Sequence, residues 1–169
     1  MRKSLIKLQG TSIIEIIAVI SIIGVLAAMF MPMVSNYFIR AKISKVLKIT
    51  GLYKQSVELY YHTYATYPTT LGQLNLSGGA GTNFIDETNG DLPLPETLDR
   101  IEFSNNLSNP TITFIMPTTK LSISARNNVN NLTLIYELDV SNTGIYSWSC
   151  YFDADSVANY AKYIPASCS

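Results

Sequence analysis

Hydrophobic and polar positions fall into three regimes along the chain. Across residues 13–34 nearly every side chain is apolar, and Glu15 is the sole ionisable one. A helix needs about 20 apolar residues, each rising roughly 1.5 Å, to cross the hydrocarbon core of a bilayer, so this run is long enough to span one. Beyond it the pattern becomes a stripe. Ile39, Ile43, Val46, Thr50, Tyr53, Val57, Tyr60 and Tyr64 recur at steps of four and three, which places them on one helical face with a single polar exception. The two regimes predict one long helix over 11–64. Pro32 should kink or loosen it, because proline lacks the backbone donor. Tyr67-Pro68 marks its end, since the residue before a proline is pushed out of the helical region.

The third regime is the remainder of the chain. Residues 69–99 are rich in Gly, Pro and Asn and read as a long surface connection. Strand signals follow at 111–116, 121–125, 132–138 and 145–152, with turns at 127–131 and 141–144. Connections this short favour antiparallel neighbours. The expected fold class is therefore α+β: a long amino-terminal helix, its amphipathic second half packed on an antiparallel sheet.

Glu15 is the first functional suspect. A carboxylate inside an apolar span costs roughly 2.5 to 3.5 kcal/mol on insertion scales, so it calls for a partner or a purpose. Arg2, Lys3 and Lys7 precede the span, and the positive-inside tendency would keep them in the cytoplasm and place the rest of the chain across the membrane.

A basic leader ending in Gly10, an acid five residues past that glycine, a long apolar helix, then Gly24 and Pro32 together resemble the class III signal of type IV pilins. The resemblance implies that a prepilin peptidase cuts between Gly10 and Thr11 and methylates the new terminus at Thr11, where this family usually has phenylalanine. It implies that Glu15 neutralises the terminal amine of a neighbouring subunit and so sets axial register in the filament. Elementary physics agrees, because a buried carboxylate and a buried ammonium are each costly alone and cheapest as a pair.

The rest of the chain carries more of the same likeness. Tyr60-Tyr61 followed by Tyr67-Pro68 is similar to the family. Trp148-Ser149-Cys150 and Pro165-Ala166-Ser167-Cys168 look like the two ends of the disulfide-bounded, variable and exposed loop of type IVa pilins. From the residues themselves, two cysteines on the far side of a membrane make a disulfide the default and two free thiols the alternative.

Composition narrows the function classes. At 169 residues the chain fits one domain with a real core beyond the span. Its formal charge is zero, and loss of the three leader cations would leave it net negative, with no bulk attraction to nucleic acid. Arg40, Lys42, Lys45, Lys48 and Lys54 form a basic cluster that should face solvent, lipid phosphates or neighbouring subunits. His62 is the lone histidine, so a histidine metal cluster is impossible and no nucleophile elbow accompanies it. Gly78, Gly79 and Gly81 lack the Lys-Ser/Thr of a phosphate loop. Asp86, Glu87, Asn89 and Asp91 lack the spacing of a calcium loop. Asp153 and Asp155 lack the burial that separates an acid from a base.

The expectation is a non-enzymatic filament subunit without cofactor or metal, a major or major-like pilin. Its parts are a leader at 1–10, a helix at 11–64 whose first stretch, 11–34, spans the membrane or lines the filament core, and a head at 65–169. The head comprises a connection at 65–100, a sheet at 101–152 and a disulfide-bounded loop at 150–168. By resemblance its partners are copies of itself in a helical filament, the prepilin peptidase, and the inner-membrane assembly machinery with its ATPases. The filaments would serve adhesion, twitching motility or DNA uptake. The precursor would reside in the inner membrane and the product in an extracellular pilus of a Gram-negative-type bacterium. The alternatives are a minor pilin or a type II secretion pseudopilin and, from another class, a secreted binding module released by an ordinary signal cleavage near Ala27.

Overall fold

The computed structural model describes residues 12–74, 76, 84–86, 94–106, 109–140 and 146–168. The leader, the Gly10–Thr11 junction, the glycines at 78–81, the turn at 141–144 and most of the acid-rich turn at 86–91 lie outside the described residues. The chain divides into two compact units, Met1–Tyr37 and Phe38–Ser169.

Helix α1 is assigned without a break from Ile13 to Tyr64, through Pro32. It ends where Ala65 takes a left-handed conformation with φ 53°, its N–H donating to the Tyr61 carbonyl at 2.8 Å. A left-handed residue just past the last turn is a common helix stop. Within the second unit the stripe is buried as its spacing requires: Ile39, Ile43, Val46, Thr50, Tyr53 and Val57 all lie in the core, and Tyr60 is half-buried. Thr50 belongs there despite its hydroxyl, which donates to the Leu47 carbonyl at 2.7 Å and so needs no other partner. The stripe runs out at Tyr64, which is exposed.

The sheet against which α1 packs has five antiparallel strands in sequence order: β1 (Phe84–Asp86), β2 (Arg100–Asn106), β3 (Asn109–Pro117), β4 (Asn131–Val140) and β5 (Tyr146–Phe152). This is the α+β meander that the pattern predicts. Side chains alternate across a sheet, and the register lines the buried ones into cross-strand rows. One row is Phe103, Ile112 and Tyr136, with the half-buried Cys150 at its end; the next is Ile101, Phe114, Leu134 and Phe152. Phe114 joins both layers, meeting Tyr53 of α1 edge-on at 5.7 Å and Tyr136 of β4 at 6.1 Å.

Two expectations are corrected. Residues 121–125 are not a strand: Thr118–Leu121 forms a short helix, α2, capped by Ser122 with φ 61°. Leu121 and Ile123 are both buried, so the alternation reported which side chains turn inward while the backbone took another route. The connection over 69–99 is not merely superficial. It contributes Leu71, Leu74, Ile85 and Leu98 to the core, through a 3-10 turn at Leu71–Leu74 and strand β1. Strand β2 precedes the first strand signal at 111, although it falls almost wholly within the expected sheet of 101–152, and its Ile101 and Phe103 alternate with polar neighbours.

Candidate functional site

The candidate site is α1, whose two parts meet different surroundings. In the first unit the apolar stretch Ile13–Met31 has the length and composition of a membrane span and buries none of itself inside this chain. Ile13 and Ile14 are 78% exposed. Glu15 stands in the first helical turn, where its backbone N–H donates to the Ser12 carbonyl at 3.0 Å. An acid in a first turn complements the positive end of the helix dipole. Its carboxylate makes no ion pair among the described residues. Ser21 turns its hydroxyl back onto the Ile17 carbonyl at 2.7 Å, removing its cost in an apolar setting. A Cβ built on Gly24 meets nothing within 4 Å, so nothing inside this chain asks for glycine there, although glycine is a poor helix former.

In the second unit the polar face of α1 is tied down at several points. Glu58 accepts a 2.7 Å hydrogen bond from the Trp148 indole on β5. Arg40 donates from Nε to the Lys162 carbonyl at 3.0 Å, and Lys42 donates to the Lys120 carbonyl at 2.9 Å. Lys54 lies over the Tyr136 ring, 4.9 Å from its centroid, a geometry that attracts a cation to the ring face. The basic cluster is thus divided: Arg40, Lys42 and Lys54 reach the head, while Lys45 and Lys48 are exposed. Burial raises the phenol of Tyr53, and burial together with a hydrogen bond to Glu137 raises that of Tyr151, so both stay neutral beyond the usual tyrosine range.

Cys150 and Cys168 are joined in a disulfide with their Cα atoms 5.0 Å apart. The segment they enclose is anchored rather than loose. Helix α3 (Ala154–Tyr160) follows Asp153, whose carboxylate accepts from the buried Ser156 hydroxyl, and Ser156 accepts the Thr133 N–H at 3.0 Å. The fully buried Tyr160 donates its hydroxyl to the Val129 carbonyl at 2.6 Å and accepts the Arg126 N–H at 3.0 Å. That second contact meets a tight turn in which Asn127 and Asn128 both have positive φ and Val129 bonds back to Arg126, the backbone form that favours Asn. Asp153 is therefore a helix-start residue. His62 is exposed near the end of α1, beside Tyr61.

The structure places Glu15, Gly24 and Pro32 along one helix, and Cys150 and Cys168 together in the head; Gly10 and Thr11 lie outside the described residues. The Glu58–Trp148 contact and the Tyr160 clamp were not foreseen, because each joins positions far apart in the chain.

No family model matches the chain. Over 160 residues, 95% of this chain and 90% of the relative, it is 29% identical to a fimbrial protein, EcpC, of Eikenella corrodens. It is 24% identical over 164 residues, 96% of this chain and 95% of the relative, to a probable minor fimbrial protein of Dichelobacter nodosus. It is also 41% identical over 50 residues, 30% of this chain and 32% of the relative, to the type IV major fimbrial protein FimA of Dichelobacter nodosus.

Proposed function

We propose that this chain, a homologue of fimbrial proteins with the build of a type IV pilin, is a structural subunit that polymerises through α1 into a type IV pilus. The observation that carries the reading is the apolar helix start: a span exposed along its whole length, bearing one carboxylate with no ion pair among the described residues. A plain anchor has no use for Glu15, whereas a neighbour's terminal amine would neutralise it and fix the axial offset between copies. Gly24 fits the same reading, since small residues let apolar helices approach one another closely.

In this account a prepilin peptidase cuts between Gly10 and Thr11 and methylates Thr11. The subunit then waits in the inner membrane, held by α1, until ATP-driven machinery draws it into the extracellular filament. Adhesion, twitching motility and DNA uptake are the roles such a filament would serve. The role is mechanical, as for the structural fimbrial proteins the chain is similar to, and calls for no catalysis. A second reading has a specific observation behind it. Relatives matched over nearly their whole length include a minor fimbrial protein, while the type IV major protein matches over 50 residues. That favours a minor subunit over the dominant one.

The intact mass and terminal sequence of the protein from the native membrane fraction test the processing. A start at Thr11 with two hydrogens missing at the cysteines supports the proposal. A start at Ala28 would make the chain a secreted protein, and an uncut Met1 a simple membrane anchor. Its share of the protein in filaments sheared from the cell decides between minor and dominant subunit.

A further inference from the structure

Two cations of α1 reach further elements of the head. Arg40 of α1 is bonded to the backbone of Lys162 in the 3-10 turn Ala161–Tyr163, and Lys42 of α1 is bonded to the backbone of Lys120 in α2. These contacts set the Arg40 and Lys42 side chains against the backbone of two elements that themselves carry lysines, with the exposed Lys45 on the next turn of α1 and Lys162 also exposed. Between Glu15 and Glu58, α1 carries no acid at all. Lys120 is held within the head: its ammonium donates to the Leu98 carbonyl at 2.8 Å and lies 3.7 Å from the Asp99 carboxylate. Arg40, Lys42, Lys45 and Lys162 make no ion pair among the described residues. Arg40 and Lys42 spend donors on carbonyls, which fixes their position without neutralising their charge, and each keeps further N–H groups to offer.

The place of this collar in the chain matters as much as its charge. Only eight residues separate Arg40 from Met31, the last residue of the apolar span. Tyr37 and Phe38, both exposed, fall between them, and aromatic residues there are typical of the level of the lipid headgroups. A link that short limits how far Arg40 can lie from the end of the span, to about 14 Å along a helix. Basic side chains in that position are attracted to anionic lipid, with a several-fold gain in partition for each one near the surface.

We propose that this collar, Arg40, Lys42, Lys45 and Lys162, is a docking surface for anionic phospholipid headgroups that seats the head on the membrane before assembly. The inference rests on the reading of Ile13–Met31 as a membrane span. Extraction into filaments would then have to break these contacts, so the lipid composition of the membrane would tune how readily a subunit leaves.

The test uses the full chain in nanodiscs of phosphatidylcholine mixed with phosphatidylglycerol, and counts by native mass spectrometry the lipids that stay bound on release. Wild-type protein should retain phosphatidylglycerol several-fold above its share of the bilayer. The Arg40→Gln/Lys45→Gln/Lys162→Gln variant should retain the two lipids in the bulk ratio, and raised salt should do the same to the wild type without any substitution. An unchanged thermal transition of the head checks that the variant is folded. Retention at the bulk ratio by wild-type protein would overturn the proposal. So would a variant that keeps the lipid preference while losing filaments, which would assign the collar to contacts between subunits. Release of the chain from native membranes by alkaline carbonate would instead refute the span, a separable failure.

Discussion

The two parts of α1 are built from the same kinds of residue and meet opposite fates. In the second unit Ile43, Val46 and Val57 are fully buried against the sheet, and the polar positions between them are tied to the head through Arg40, Lys42 and Glu58. In the first unit Ile13, Ile17 and Ile20 are exposed, and Glu15 has no ion pair among the described residues. A contiguous apolar surface of that extent on one chain signals a partner or a membrane. One part of the helix is therefore explained by the chain itself. The other makes sense only through lipid or other copies.

The contrast can be broken most sharply at the junction of helix and sheet. Phe114→Ala should destabilise the head by about 3 to 5 kcal/mol, the usual cost of emptying a buried aromatic site. Ile20→Ala should leave the thermal transition of the head where it is. A comparable loss from both substitutions, measured by calorimetry in detergent, would show that the first unit is stabilised from within the chain after all.

Smaller effects sharpen the picture of the head. Cys150→Ser should cost about 3 kcal/mol in the chain-entropy account of a loop this size, read by thermal unfolding under matched oxidising conditions. Tyr160→Phe should cost about 1 to 3 kcal/mol by denaturant titration, because it strips the Val129 carbonyl and the Arg126 N–H of their buried partner. It should also speed hydrogen exchange at Arg126. Ala65→Gly should raise stability by roughly 1 kcal/mol, since φ 53° suits glycine and strains alanine. A stability unchanged or lowered by that last substitution would mean the helix stop is held by something other than its own backbone.

Much of this was legible in the sequence where a period could carry it. Steps of four and three marked the buried stripe from Ile39 to Val57 down to its polar member, Thr50, because a helix face is a local property. Alternation found β3, β4 and β5 for the same reason. It failed at 121–125, where Leu121 and Ile123 are buried by a helical turn and a left-handed serine that mimic a strand's alternation. Strand β1, three residues long, owes its pairing to β2 rather than to any pattern of its own. The segment between the cysteines read as an exposed loop because nothing local reveals that Tyr160 and Ser156 reach the β3–β4 connection and β4. Of the residues proposed for assembly, Glu15 stood out by contrast with its apolar neighbours and Pro32 as a proline within a helical run, whereas Gly24 stood out only through the resemblance.

The most direct test of the central claim is the yield of filaments sheared from cells carrying Glu15→Ala, with processing at Gly10 and folding of the head checked in the same preparation. The account predicts a processed, folded subunit that stays in the membrane and gives few or no filaments. Normal piliation by that variant would contradict it, because the carboxylate in the apolar helix would then have no partner to find.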